Sequence, residues 1–228
     1  PRWAGRTYQS RSRSRRRNPD PRLASRQVVF FHGCAANFYE PDTAAHAVAV
    51  LEHNGLEVIV PKQGCCGLPL QSNGLYDDAR RYARRLAAQL APYARAGHDI
   101  VATSTSCGLM LKREAHEILG IDDDELRVVS EHLYDICEYL VMLDERGELK
   151  RDMQTVDMEV PYHAPCQQRG HGVGTPAMEL MARLNIRNQQ LLADKAKLEQ
   201  CNNDLAERIR WHGIDTDRLR QQRDEALA

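Results

Sequence analysis

No apolar run in this sequence approaches the roughly 20 residues that a helix needs to cross a bilayer, so no transmembrane segment is expected. Charge of one sign is missing too: 31 Lys and Arg stand against 32 Asp and Glu, a net −1. No global field therefore draws the chain to nucleic acid or to an anionic surface. The sequence opens on Pro1-Arg2-Trp3, with neither an initiator methionine nor the apolar core of an export signal. It reads as an internal fragment or a processed start, with a reducing cytosol as the default compartment. No Cys-x-x-Cys pair occurs, and the seven cysteines are odd in number and widely spread, which excludes a compact disulfide framework. His32 and His163 sit near cysteines but have no evident carboxylate partner, so no catalytic set is expected.

What the chain does have is one unusual stretch, Gln63-Gly64-Cys65-Cys66-Gly67-Leu68-Pro69-Leu70. Adjacent side chains of a strand point to opposite faces, so a regular strand could not offer both thiols to one object. A turn flanked by glycines can, because glycine reaches positive φ and lets the backbone approach a ligand. Two more cysteines complete a wide pattern, Cys34-x30-Cys65-Cys66-x40-Cys107. In a reducing compartment, such a cluster points to a metal or iron–sulfur site or to redox work.

The surrounding sequence repeats a phrase of strand, loop and helix. Val28 to Phe31, Val58 to Val60 and Asp99 to Ala102 read as short buried strands. Helices are expected from Pro41, with Ala45, Val48, Ala49 and Leu51 inward, and from Asp77 to Arg95, with Ala79, Tyr82, Ala83, Leu86 and Leu90 inward. A third begins at Ser104 to Cys107, where a helix dipole would favour a thiolate. Three such units predict an α/β fold, a parallel sheet with covering helices over residues 27–150. Ligands of such sheets bind beyond the carboxyl ends of the strands, where Cys34, Cys65, Cys66 and Cys107 all fall.

The flanks read differently. Residues 1–26, rich in Arg and Ser, are expected to be a disordered linker. Residues 124–148 read as one long helix, with Cys137 as a buried structural cysteine in its apolar stripe. Residues 151–184 open a second, incomplete copy of the unit, since Val160-Pro161-Tyr162-His163-Ala164-Pro165-Cys166 echoes Val28 to Cys34. Residues 185–228 read as a helical tail. Leu184, Leu191, Leu198 and Leu205 recur in heptads, but Asn188, Lys195 and Asn202 spoil the second seam of a coiled coil.

The cysteine pattern resembles the cysteine-rich CCG domain of heterodisulfide reductase and of related iron–sulfur subunits, including one of anaerobic glycerol-3-phosphate dehydrogenase. Phe31-His32-Gly33-Cys34, Cys65-Cys66-Gly67-Leu68-Pro69-Leu70, Ala102 to Cys107 and Tyr162-His163-Ala164-Pro165-Cys166 carry the likeness. The resemblance implies an iron–sulfur cluster, of 4Fe-4S type, held by Cys34, Cys65, Cys66 and Cys107, with Cys166 the first ligand of a second site. It implies a flavoprotein dehydrogenase subunit as electron donor and a menaquinone-linked membrane partner as acceptor. The fullest family pattern ends in Cys-x-x-Cys, where this chain has Met110.

From the residues alone, other readings stay open. Four thiolates also suit structural zinc, although its ligands usually come in two close pairs. A dithiol switch at Cys65 and Cys66 would demand a strained turn.

Overall fold

The computed structural model describes residues 3–15, 19–23, 25–152 and 161–184. By its internal contacts the chain divides into two compact units, one of Pro1–Gln154 with Ala164–Leu180 and the other of Thr155–His163 with Met181–Ala228. The fold below is that of the first. The expected helical tail, with its heptad leucines beyond Leu184 and Cys201, lies outside the described residues.

Four short strands, β1 (Gln27–Phe31), β2 (Glu57–Ile59), β3 (Ile100–Ala102) and β4 (Leu133–Asp135), form one parallel sheet in the order β2-β1-β3-β4. The register pairs Val28 with Val58, Phe30 with Val101, and Ala102 with Asp135. All five residues of β1 are buried. That is what a sheet covered on both faces demands, and why its strands read as continuous apolar runs.

The helices in chain order are α1 (Tyr8–Arg11), α2 (Gly33–Phe38), α3 (Pro41–His53), α4 (Leu68–Ser72), α5 (Tyr76–Arg95), α6 (Thr105–Leu109), α7 (Ala115–Glu117), α8 (Asp124–Glu131), α9 (Ile136–Glu145), α10 (Cys166–His171) and α11 (Pro176–Arg183). A single π turn, Met110–Glu114, joins α6 to α7. On α5, Ala79, Ala83, Leu86, Leu90 and Ala94 form the buried stripe that packs with Val29, Phe31, Ile59, Ile100 and Leu133 in the main core. Arg84 and Arg95 leave that helix to pair with Asp123 and Asp124.

Three expectations are corrected. Tyr82 on α5 is 40% exposed, because the Ala79–Ala83–Leu86 stripe already fills the contact with the sheet. On α3 the buried residues are Pro41, Ala44, Ala47, Val48 and Leu51, while Ala45 and Ala49 are exposed beside the N-terminal segment. The stretch 124–148 is not one helix: Leu133–Asp135 pairs with Ile100–Ala102 as β4 and separates α8 from α9.

The N-terminal residues also depart from the disordered linker expected of them. Tyr8 is only 4% exposed and its ring stands edge-on to Phe30 and His32. Ala4 N–H donates to the Phe38 carbonyl at 2.7 Å, and Val60 N–H to that of Arg15 at 3.0 Å. Arg15 makes a two-pronged pair with Glu52. One buried aromatic and a set of backbone bonds offset the ordering entropy that the polar composition alone could not.

Candidate functional site

The chain goes from β1 to β2 on one side and then returns past β1 to β3 and β4 on the other. The reversal opens a crevice beyond the carboxyl ends of β1 and β3. Cys34 follows β1 in the first turn of α2, and Cys107 follows β3 on α6. Cys65 and Cys66 follow β2 in the loop before α4. Cysteines distant in sequence thus meet at one sheet edge.

The four cysteines converge there, and Cys66 Sγ donates to Cys107 Sγ at 3.4 Å. The thiols of Cys34, Cys65 and Cys66 perturb one another in turn. Cys66 and Cys107 are 1% and 7% exposed, whereas Cys34 and Cys65 are half-buried and form the open side. Hydrogen bonds from Cys34 and Cys66, and from the Gly67 and Cys66 amides, pull the Cys65 thiol down to about 2. Cys107 is lowered first by its bond from Cys66. Cys34 and Cys66, as the donors, are raised by those same bonds and by burial. Raised and lowered thiols therefore alternate from Cys34 through Cys65 and Cys66 to Cys107.

Local backbone chemistry explains how the loops come so close. Gly67 has φ +91°, and a Cβ there would stand 2.7 Å from the Ala79 carbonyl oxygen. Only glycine permits that turn, which aims the Gly67 amide at Cys65 Sγ at 3.4 Å. Gly33, at φ +66°, leaves room for Cys107: a Cβ would lie 3.3 Å from its sulfur. The Ser104 hydroxyl accepts from the Cys107 amide at 3.4 Å.

Gln63 ties the first two loops together, and sequence reading gave it no role. Its side-chain oxygen accepts from the His32 amide at 3.0 Å, and its side-chain nitrogen donates to the Phe30 carbonyl at 2.9 Å. Gln9, from the N-terminal segment, donates to the Gln63 carbonyl at 3.2 Å. No periodicity marks a buried amide of this kind. The aromatic Tyr8, set in a polar stretch and resting on His32, was the available signal for the N-terminal contribution.

Other sequence candidates fall elsewhere. Cys137 is not inside a helical stripe: it is half-buried in the first turn of α9, just beyond β4, and burial with the nearby Asp135 charge pushes its thiol up to about 12. Cys166 is exposed at the start of α10 and takes no part in the sulfur-to-sulfur bonds. Met110, in the position of the missing cysteine, is wholly buried in the core. His32 is buried, with its Nδ1 bonded to the Gly33 carbonyl at 2.7 Å, and His163 is exposed.

The donor set fits a thiophilic group: four soft sulfurs, with backbone N–H aimed at one of them and an open side at Cys34 and Cys65. Cys66 and Cys107 sulfurs stand at hydrogen-bond distance. Among the described residues, no three donors are arranged around a single metal ion.

Comparison with known proteins agrees with this chemistry. Residues 28–112 match the CCG family, described as a cysteine-rich domain. The chain is 32% identical over 161 residues to a subunit of the anaerobic glycerol-3-phosphate dehydrogenase of Escherichia coli, covering 69% of this chain and 39% of that one. It is 34% identical over 149 residues to a subunit of the fumarate reductase (CoM/CoB) of Methanothermobacter marburgensis, covering 64% and 27%. An uncharacterized iron–sulfur protein of Methanocaldococcus jannaschii is 29% identical over 145 residues, covering 63% and 26%. The chain thus spans about two fifths or less of the length of these relatives. No solved structure matches it significantly.

Proposed function

We propose that this chain, which carries a CCG cysteine-rich domain over residues 28–112, is an iron–sulfur electron-transfer module. Cys34, Cys65, Cys66 and Cys107 are its cluster ligands, and the cluster is of 4Fe-4S type. The observation that carries the reading is the convergence of four cysteines from the loops after β1, β2 and β3, with Cys66 and Cys107 sulfurs 3.4 Å apart.

When bound, such a cluster supplies one-electron carriage at a potential tuned by hydrogen bonds to sulfur and by solvent exposure. The protein's own part is to bind and to tune. Gly67 N–H donates to Cys65 sulfur, and Gln63 fixes the end of β1 from which Cys34 projects. Burial of Cys66 and Cys107 keeps water from the inner side, while half-buried Cys34 and Cys65 face the route by which an electron arrives or leaves.

By likeness to the glycerol-3-phosphate dehydrogenase relative, the electron donor is a flavin-dependent dehydrogenase subunit and the acceptor a menaquinone-linked partner at the membrane. Among the described residues no helix is long and apolar enough to cross a membrane, so that association is proposed as peripheral. Cys166 is proposed as the first ligand of a second site.

The test is metal and sulfide analysis of protein purified without oxygen, together with electron paramagnetic resonance in oxidised and reduced states. About four irons with matching sulfide per chain, and a redox-sensitive signal, are expected. Zinc alone, bound by the same thiols, would replace the electron-transfer reading with a structural one.

A further inference from the structure

Helix α10 lies against α6, the helix that carries Cys107. The approach is closer than side chains ordinarily allow, and a glycine on each helix makes it possible. A Cβ on Gly108 would stand 3.0 Å from Cε1 and Nε2 of His171. A Cβ on Gly170 would stand 2.7 Å from Cδ2 of Leu109. Two hydrogen bonds close the contact. His171 Nε2 donates to the Thr105 carbonyl at 2.8 Å, and Arg113 Nη1 donates to the Gly170 carbonyl at 2.7 Å. Because the acceptor is a carbonyl, Nε2 carries the proton. Nδ1 is buried without a hydrogen-bond partner among the described residues.

Helix α6 is five residues long and runs directly into the π turn. One helical turn has too few internal hydrogen bonds to fix its own direction, so its neighbours must do so. Thr105 precedes Cys107 by two residues and Leu109 follows it by two, and both are held by α10. The chain after His171 turns away at Gly172, φ +73°, and Gln168 secures that turn by donating to the Gly174 carbonyl at 2.9 Å.

We infer that α10 is a clamp on the Cys107 helix and that His171 is the positioning residue for the Cys107 thiol. The inference concerns the site proposed above, and its first test needs no bound cluster. In the full, reduced, metal-free chain, alkylation of each cysteine is followed by peptide-resolved mass spectrometry. His171→Ala is expected to speed alkylation of Cys107 by about fivefold or more, through easier local opening of α6, while Cys34 keeps its rate. His171→Gln, whose amide nitrogen can reach the Thr105 carbonyl, is expected to restore protection. Gly108→Ala pushes the ring away from the other side and should repeat the effect, and the double variant should be no faster than His171→Ala.

After reconstitution with iron and sulfide, the paramagnetic spectrum should differ between wild type and His171→Ala and return in His171→Gln. Equal Cys107 rates in wild type and His171→Ala would overturn the inference. So would acceleration shared by Cys34, Cys65 and Cys107, which marks general loosening. Should His171→Ala fail to fold, Gly108→Ala decides by the same criteria. A selective effect in a chain that never takes up iron would leave the clamp standing and remove the electron-transfer reading.

Discussion

At the scale of single residues, the site depends on positions that are not cysteine. Gly67 occupies a left-handed conformation with the Ala79 carbonyl 2.7 Å from where a Cβ would be. In Gly67→Ala the backbone conformation alone costs about 1–3 kcal/mol, and the clash adds to it. The variant should show a clearly lower urea midpoint and, because the turn aims the amide at Cys65, lose iron as well. A stable Gly67→Ala with full iron would mean that the turn relaxes without disturbing the thiols. Gln63 is a second such position. Gln63→Leu strands the buried His32 amide and the Phe30 carbonyl, a loss of about 2–4 kcal/mol for two unsatisfied groups. Equilibrium unfolding measures that loss directly.

At the scale of elements, Asp135 ends β4 and begins α9. Its carboxylate accepts from the Cys137 amide at 2.8 Å, and Glu138 reaches back to the Asp135 amide at 3.1 Å, a complete capping box. Asp135→Ala should cost about 1 kcal/mol. Burial raises the Asp135 carboxyl above its ordinary 3.8, with the Cys137 and Glu138 amides pulling partly the other way. The folded state thus takes up the proton at higher pH than the unfolded state, so this stabilising term is full in acid and is lost as pH rises through the folded pKa. Asn caps about as well as Asp and does not titrate. Asp135→Asn should therefore gain on wild type as pH climbs from below 4 to neutrality, and chemical denaturation across that range checks the sign. The same element shows where the sequence was hard to read. Leu126, Val129, Leu133, Ile136 and Leu140 keep a helical spacing straight through β4, and three strand residues are too few to display a period of two. Only pairing with Ile100–Ala102 makes them a strand. The Asp135-x-x-Glu138 box was the legible sign that a helix begins there. The first three strands were plain because covered parallel strands appear as bare apolar runs, and their carboxyl ends then brought the four cysteines together. The Arg/Ser-rich start was not plain, since its order rests on Tyr8 meeting Phe30 and His32, a tertiary contact no local pattern contains.

At the scale of the whole molecule, every strand of the sheet is followed by a cysteine at the same edge: Cys34, Cys65 with Cys66, Cys107 and Cys137. Position alone would make all five equivalent, and the contacts divide them. Cys65 is held by Cys34, Cys66 and two backbone amides, and those hydrogen bonds pull its thiol down. Cys137 hydrogen-bonds to none of the four, and burial beside Asp135 keeps it protonated. A metal or cluster must displace a proton from every thiol it takes, and it gains most where sulfurs already converge. Iron uptake is therefore expected to follow the contacts, not the topology. Cys65→Ser should lose the iron while its circular dichroism stays that of an α/β protein, since the half-buried side chain contributes little to the core. Cys137→Ala should retain wild-type iron and sulfide. Full iron in Cys65→Ser would remove that residue from the ligand set, and iron loss from a folded Cys137→Ala would extend the set to β4.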